Sequence, residues 1–226
     1  AAPESIPRDI IERLNEGRAS FVPALERVIA NDASSLLVLV DKKRLLDPGY
    51  EPRDLVPVGG GRSYVPNRDG LSLRREAEEA LESMAMAARA DGVTLVVSST
   101  YRSWSYQKRV YERNVRELGQ AAADRESAMP GASQHQLGTA VDFGSITDEY
   151  AETKAGKWLQ ANASRFGWSL SFPDGYEGVT GFRWECWHYR YVGVEACRLQ
   201  DEWFDGVQQY MIEFVDAWKA RPLRNP

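Results

Sequence analysis

The sequence lacks the features that mark several common classes of protein. Its longest strongly apolar run, Leu36 to Val40, is far shorter than the roughly 20 residues of a membrane-spanning helix. Basic residues form no cluster and the net charge is −5, so we expect no nucleic-acid partner. The first residues carry neither positive charge nor an apolar segment, so we expect no export signal within this chain.

What the chain does contain is typical of a folded domain. Of its 226 residues, 43% are apolar and 11% are aromatic, which is enough apolar side chain for a sizeable core. We expect one globular unit over residues 35–226, with residues 1–34 forming a helical extension packed on it. The oligomeric state is left open.

The spacing of apolar residues predicts a mixture of helices and strands. Since the two alternate without a regular strand–helix–strand rhythm, we expect an α+β fold with a central, mostly antiparallel sheet flanked by helices. Helices are predicted at 7–16, 21–30, 72–90, 103–118, 152–166 and in the C-terminal part through Trp218. Strands are predicted at 36–40, 93–98, 139–143, 168–172 and 183–192, and loops at 47–70 and between Gly119 and Ser133.

The only two histidines each lie close to an acidic residue. His135 precedes Asp142 by seven positions, and Glu185 precedes His188 by three. Catalytic zinc takes three protein ligands, leaves a position for water, and works with a carboxylate that accepts the proton of that water. These four side chains therefore form a candidate zinc site, in which Gly138 permits a sharp turn between His135 and the strand that carries Asp142.

The spacing of Glu185 and His188 raises a geometric difficulty. Residues three apart on a regular strand point to opposite faces of the sheet. A bulge or bend between them, or an approach of the carboxylate from the entry of the strand, is needed to bring both to one site. Isolated histidines near acids are also common in cores and on surfaces, so spacing alone does not establish the site.

Two motifs around these residues resemble a known family. The segment SQHQLGTAVD at 133–142 matches S-x-H-x-x-G-x-A-x-D, and ECWH at 185–188 matches E-x-W-H, the patterns of VanY-like D-alanyl-D-alanine carboxypeptidases. The tripeptide YRS at 101–103 precedes both in the expected order, and the resemblance covers most of the chain. The group also includes lysostaphin-type enzymes and the hedgehog signalling domain, which implies a hedgehog-like or D-Ala-D-Ala-peptidase-like fold.

The resemblance implies a role for each of several residues. One zinc ion per chain would be held by His135, Asp142 and His188. Glu185 would be the general base. Arg102 would face the tetrahedral oxyanion, which suits a guanidinium because it stays charged and offers several directed donors. Four further residues are expected to bind the substrate and its terminal D-alanine: Gln107, Ser133, Tyr101 and Trp187.

One position departs from the family pattern. Cys186 stands where the family commonly has proline, and on a strand it would share a face with His188 and offer an alternative zinc ligand. A disulfide between Cys186 and Cys197 is a second alternative if the protein is exported. Two buried free thiols are the simplest interpretation.

The resemblance implies a zinc exopeptidase that removes the C-terminal D-alanine from peptidoglycan stem pentapeptides, and therefore acts outside the cytoplasmic membrane. An L,D-carboxypeptidase that trims tetrapeptides to tripeptides would carry the same motifs. A non-catalytic zinc-binding interaction module is a third alternative. The presence of both Glu185 and Arg102 argues against it, because a structural zinc ion needs neither.

Overall fold

A five-stranded sheet lies at the centre of the computed structural model, which describes residues 3–221. The strands, in chain order, are Leu55–Pro57 (β1), Val65–Pro66 (β2), Ser72–Arg74 (β3), Val96–Ser99 (β4), Ala140–Phe143 (β5), Trp168–Leu170 (β6) and His188–Tyr191 (β7). The central sheet has the order β2-β4-β5-β7-β6, and only its β2–β4 pair is parallel. β1 and β3 form a separate antiparallel pair. The predicted mostly antiparallel α+β fold is confirmed.

Helices flank the sheet and account for much of the remaining chain. The α-helices are Arg8–Glu16 (α1), Arg18–Asn31 (α2), Arg75–Ala90 (α3), Trp104–Leu118 (α4), Gln120–Glu126 (α5), Lys154–Asn162 (α6), Glu177–Thr180 (α7), Val194–Trp203 (α8) and Gln208–Lys219 (α9). Short 3₁₀ helices lie at Gln134–Leu137, Asp148–Glu152 and Ala163–Phe166. Within residues 3–221, no helix is long and apolar enough to cross a membrane.

Two apolar clusters hold these elements together. In the first, Leu81 and Met84 of α3 are buried with Val97 and Phe143 of the central sheet. In the second, the N-terminal helices α1 and α2 bury Ile10 and other apolar residues against α8 and α9. The two ends of the predicted units, residues 1–2 and 222–226, lie outside the described residues.

The predicted strand at Leu36 to Val40 is wrong. Its side chains are largely buried, but its backbone bonds to side chains rather than to another strand. The amide of Leu36 donates to Asp32 Oδ1 at 2.6 Å. The guanidinium of Arg190 donates to the carbonyl oxygens of Leu36 and Val38 at 2.6 and 2.8 Å. An apolar run predicts burial, but it does not show which groups satisfy the backbone.

Several other bounds differ from the prediction. The strand predicted from Val93 begins at Val96, and the helix predicted at 152–166 is divided into α6 and the 3₁₀ helices on either side of it. The loop expected between Gly119 and Ser133 contains α5, which the pattern missed because only Ala123 on this helix is buried. The loop expected at 47–70 contains β1 and β2. The helix expected from Ser72 begins at Arg75, since residues 72–74 pair with β1 as β3.

Candidate metal centre and active site

Two of the candidate ligands face each other on neighbouring strands. Asp142 on β5 is the register partner of His188 on β7, so both side chains project from the same face of the sheet. Asp142 Oδ1 lies 2.9 Å from His188 Nδ1. Antiparallel pairing in the middle of the sheet therefore fixes this half of the site.

The third candidate ligand enters from the 3₁₀ helix that precedes β5. Gly138 ends this helix with a φ of +71°, and a Cβ at that position would lie 3.0 Å from a side-chain carbon of Arg74. Both the positive φ and the close packing require glycine. The resulting turn brings His135 Nε2 to 3.2 Å from Asp142 Oδ2. The sharp turn predicted at Gly138 is confirmed.

His135 presents a free nitrogen to the site. Its Nδ1–H donates to the carbonyl oxygen of Thr100 at 2.7 Å, so Nε2 carries the lone pair. That Nε2 atom is buried and has no hydrogen-bond partner. Burial, together with the nearby charge of Arg102, lowers the pKa of His135 to about 4 and keeps the ring neutral at pH 7. A neutral imidazole with a free Nε2 is suited to bind a metal ion.

His188 presents its other nitrogen. Its Nε2 lies 3.1 Å from Gln134 Oε1, and a proton on Nε2 would satisfy this contact because an amide oxygen only accepts. Nδ1 is then the atom that faces Asp142. Burial alone would raise the pKa of Asp142, but the two facing imidazoles hold it well below its usual value.

The chemistry of this donor set fits zinc. The ligand atoms of His135, Asp142 and His188 lie within 4.8 Å of one another, and all three residues are buried. Two imidazoles and one carboxylate are ligands that zinc takes in catalytic sites. The unpartnered His135 Nε2 is explained by a metal ion, because a buried polar atom without a partner is otherwise costly.

Glu185 reaches the site from a turn rather than from a strand. The amide of His188 donates to the carbonyl oxygen of Glu185 at 3.0 Å, which closes a turn over residues 185–188. The strand predicted at 183–192 is therefore wrong before His188, and the required bend is present. Glu185 Oε2 lies 3.7 Å from His188 Nδ1. Burial, and then the charge of Asp142, raise the pKa of Glu185 well above its usual value.

Cys186 lies in the same turn but points elsewhere. Its Sγ is 3.6 and 3.7 Å from the carbonyl oxygens of Thr147 and Asp148, and it is not part of the ligand cluster. Cys186 and Cys197 are both buried and free. The structure therefore favours two free thiols over the alternatives of a cysteine ligand or a disulfide.

A cavity of about 320 Å³ opens beside the ligand cluster. The three candidate ligands line it, together with five other residues that the sequence predicted: Arg102, Gln107, Ser133, Glu185 and Trp187. Two motifs about 50 residues apart and the YRS tripeptide are thus brought to one place. A peptide bound in this cavity would contact the metal ligands, the acid and the arginine at once.

Arg102 lies on the connection between β4 and α4. Ser103 caps α4, since its backbone is extended and its Oγ accepts from the amide of Tyr106 at 3.2 Å. Arg102 Nη2 lies 3.9 Å from Asp142 Oδ2, and its Nε is buried without a partner. Burial lowers the pKa of Arg102 while Asp142 and Glu185 oppose that shift, and the group remains a cation.

The predicted substrate-binding residues are placed differently from one another. Gln107 Nε2 donates to the carbonyl oxygen of Ala128 at 2.6 Å, while its Oε1 is buried and has no partner. Ser133 Oγ accepts from the amide of His135 at 3.3 Å. Both residues line the cavity, and Ser133 lies two residues before the ligand His135.

Of the two aromatic residues predicted to bind substrate, Trp187 lines the cavity and Tyr101 does not. Trp187 is 5% exposed, belongs to the first apolar cluster and also lines the cavity, so it is both core and wall. Tyr101 does not line the cavity. Its amide donates to the carbonyl oxygen of Ser72, and the charge of Glu51 acts on its hydroxyl, so it lies on another side of the segment that carries Arg102.

The sequence analysis missed several residues of the site. Gln134 Oε1 lies 3.1 Å from His188 Nε2, and the ring of Phe172 lies 4.8 Å from that of His188. Arg113 and Arg183 also line the cavity. Of these, only Gln134 could have been identified from the sequence, because it lies inside the first motif next to His135. The others come from segments far apart in sequence.

Comparison with known proteins gives a match over residues 70–194 to a family model described as VanY, D-alanyl-D-alanine carboxypeptidase. The chain is 34% identical to YodJ of Bacillus subtilis over 201 residues, which is 83% of this chain and 73% of YodJ. All the residues assigned to the ligand cluster, together with Glu185 and Arg102, fall inside the span that matches the family model.

Solved structures give the same result at the level of the fold. The structure of the LdcB LD-carboxypeptidase matches with a TM-score of 0.71 and 32% identity, covering 79% of this chain and 86% of that one. A vancomycin-resistance D,D-pentapeptidase, VanY, solved in complex with Zn(II), matches with a TM-score of 0.63 and 30% identity. That match covers 78% of this chain and 97% of the VanY chain.

Proposed function

Because the chain belongs to the VanY family of D-alanyl-D-alanine carboxypeptidases, we propose that it is a zinc-dependent enzyme that removes the C-terminal D-alanine from peptidoglycan stem pentapeptides. The observation that carries this proposal is the meeting of a His-Asp-His cluster, Glu185 and Arg102 at one cavity. A purely structural metal ion would need neither the acid nor the arginine.

The cofactor is one zinc ion per chain, held by His135 Nε2, a carboxylate oxygen of Asp142 and His188 Nδ1. The unpartnered His135 Nε2 and the closeness of His188 Nδ1 to Asp142 support this assignment, as does the Zn(II) in the VanY structure. When bound, zinc supplies a Lewis acid that lowers the pKa of a coordinated water to about 7.

Glu185 acts as the general base. Its carboxylate accepts the proton of the attacking water and returns it to the nitrogen of the leaving D-alanine. The raised pKa of Glu185 suits this task, because a carboxylate that is more basic than usual takes up a proton from water more readily. Its position beside His188 Nδ1 places the carboxylate next to the metal ligands.

Arg102 stabilises the oxyanion that forms from the scissile carbonyl. Its guanidinium is held in the cavity wall near Asp142, and its buried Nε has no partner within the protein. A charged donor group that is already in place costs no reorganisation when negative charge develops. Arg102 therefore interacts more strongly with the transition state than with the neutral carbonyl of the substrate.

Gln107 and Ser133 hold the terminal D-alanine. The buried, unpartnered Oε1 of Gln107 provides an acceptor for an amide N–H of the peptide. Ser133 Oγ, fixed by its bond from the His135 amide, offers a hydroxyl donor in the same cavity. Since the substrate is part of the cell wall, we propose that the protein acts outside the cytoplasmic membrane.

The second candidate is an L,D-carboxypeptidase that trims tetrapeptides to tripeptides. The TM-score of 0.71 to the LdcB LD-carboxypeptidase favours it. The two candidates share the same ligands and base, so only the substrate separates them. Incubation with an equimolar mixture of penta- and tetrapeptide muropeptides, followed by mass spectrometry, tests which one is consumed. Faster loss of the pentapeptide supports the D,D-activity, and consumption of the tetrapeptide alone would replace it with the L,D-activity.

Substitution of Arg102 tests its role in turnover. We expect Arg102→Ala to lower kcat by about a hundredfold to a thousandfold, or about 2.7–4 kcal/mol, because one oxyanion donor is lost. Arg102→Lys should restore activity only in part, since an ammonium cannot reproduce the directed fork of the guanidinium. Steady-state kinetics on a pentapeptide substrate give the values. Arg109→Ala, which removes an exposed arginine of α4 outside the cavity, is the control.

A different outcome would assign another role to Arg102. If it only binds the terminal carboxylate of the substrate, Arg102→Ala should raise KM and leave kcat nearly unchanged. That result would contradict the oxyanion assignment while leaving the zinc site intact.

A further inference from the structure

Gln134 lies between the candidate metal ligand His188 and two buried polar side chains, Ser171 and Gln208. The residue is 7% exposed and directly precedes His135 in the 3₁₀ helix. Its Oε1 lies 3.1 Å from His188 Nε2, within hydrogen-bond distance. Gln134 is therefore the partner of the imidazole nitrogen that does not face the ligand cluster.

The orientation of the Gln134 amide is fixed by two further side chains. Its Oε1 also accepts from Ser171 Oγ at 2.7 Å, and its Nε2 donates to Gln208 Oε1 at 3.3 Å. Gln208 Nε2 in turn donates to Ser171 Oγ at 3.2 Å and to the carbonyl oxygen of Ser169 at 3.3 Å. Reversing the Gln134 amide would set its oxygen against Gln208 Oε1, which would place two acceptors together.

This orientation opposes a competing arrangement of His188. Asp142 Oδ1 lies 2.9 Å from His188 Nδ1, so without another partner the imidazole would place its proton on Nδ1 and donate to Asp142. That tautomer would leave no lone pair on Nδ1 for a metal ion. An acceptor on the opposite side of the ring, at Nε2, favours the other tautomer.

We propose that Gln134 is a positioning residue, which, held by Ser171 and Gln208, keeps His188 protonated at Nε2 with Nδ1 free to bind zinc. The inference rests on the proposed function, because it takes the His-Asp-His cluster as the zinc site. It further states that zinc affinity depends on Gln134, Ser171 and Gln208, which do not bind the metal ion themselves. Gln208 is the first residue of α9, so the C-terminal helix contributes to the geometry of the metal centre.

Zinc affinity of matched variants tests the inference. Gln134→Met removes the acceptor while keeping a side chain of similar length, and Gln134→Glu keeps an acceptor. We expect the zinc Kd of Gln134→Met to rise by about 10–100-fold, the usual loss when a partner behind a ligand is removed. Gln134→Glu keeps the acceptor for His188 but loses the donor to Gln208 Oε1, so its zinc affinity should fall by less than that of Gln134→Met.

The control lies in the same 3₁₀ helix. Gln136 is also a buried glutamine, but its Nε2 donates to the carbonyl oxygens of Asp47 and Tyr50 and not to a ligand. Gln136→Met should reproduce any general loss of stability without the change in zinc Kd. Competition with a chelator of known affinity, well below the unfolding temperature, gives the Kd of each variant.

A spectroscopic readout reports the bond itself. The chain has only two histidines, so the imidazole ¹H–¹⁵N spectrum of the zinc-loaded protein contains two rings. We expect the His188 Nε2 proton to resonate downfield in the unmodified protein and in Gln134→Glu. It should shift upfield in Gln134→Met, where its acceptor is gone.

The outcomes separate this inference from the proposed function. If Gln134→Met fails to fold, Ser171→Ala removes one donor that orients the amide and should weaken zinc binding in the same direction by a smaller factor. Equal zinc Kd values for Gln134→Met and Gln136→Met, with an unshifted Nε2 proton, would overturn the inference alone. Failure of the unmodified protein to bind zinc would instead overturn the proposed function.

Discussion

Replacing His135 with alanine is expected to abolish stoichiometric zinc binding and, with it, peptidase activity. His135 Nε2 is the buried nitrogen that has no partner within the protein, and its loss leaves two ligands where catalytic zinc takes three. The described chain offers no third imidazole to replace it, because the sequence contains only two histidines. His188→Ala should have the same effect for the same reason.

Metal content and isothermal titration measure this effect directly. Each alanine variant should contain much less than one zinc per chain after dialysis against trace zinc, while the unmodified protein contains one. Cys186→Ser is the matched control, because Cys186 lies in the same turn as Glu185 but points to the carbonyl oxygens of Thr147 and Asp148. Tight one-to-one binding in both histidine variants would contradict the ligand assignment, and loss of zinc from Cys186→Ser would point to a cysteine ligand.

Glu185→Gln is expected to keep zinc and to lose most of the activity. The amide is nearly isosteric with the carboxylate but cannot accept a proton from water, and Glu185 is not one of the three ligands. General acid–base catalysis contributes about 10²–10⁴-fold, so kcat should fall by that factor with little change in zinc content. Steady-state kinetics on a pentapeptide, with metal analysis of the same samples, provide the check.

The control for this prediction removes a carboxylate elsewhere. Glu112 on α4 is exposed and pairs only with Lys108 among the described residues, at 3.8 Å. Glu112→Gln should therefore behave like the unmodified protein. Near-normal turnover of Glu185→Gln would show that another group removes the proton, and loss of zinc from it would make Glu185 a ligand rather than a base.

The features that the sequence predicted correctly are those set by local chemistry. Gly138 predicts a turn because glycine adopts a φ of +71° without strain. The helix predicted from about Ser103 begins at Trp104, because the Ser103 hydroxyl caps it by accepting a free amide of the first turn. The three residues predicted as zinc ligands also lie together, because residues 133–142 and 185–188 carry them to neighbouring positions at the central sheet.

The features that could not be predicted depend on partners far away in the chain. The apolar run at Leu36 to Val40 resembles a strand, but its carbonyl oxygens are satisfied by Arg190. Thr100 positions His135 through a backbone oxygen, which carries no side-chain signal. Gln134 bonds to Ser171 and Gln208 across long separations, so its motif position indicated nearness to the ligands but not its function.

The most direct test of the central claim compares the peptide products that the zinc-free protein and the zinc-restored protein release. The protein is stripped with a chelator, divided, and assayed with a stem pentapeptide ending in D-Ala-D-Ala before and after return of one equivalent of zinc. Mass spectrometry should show no product from the stripped sample and loss of a single alanine after zinc is returned. A matched peptide ending in L-alanine should stay intact. Equal release of alanine with and without zinc, or an intact pentapeptide in the presence of bound zinc, would contradict the account.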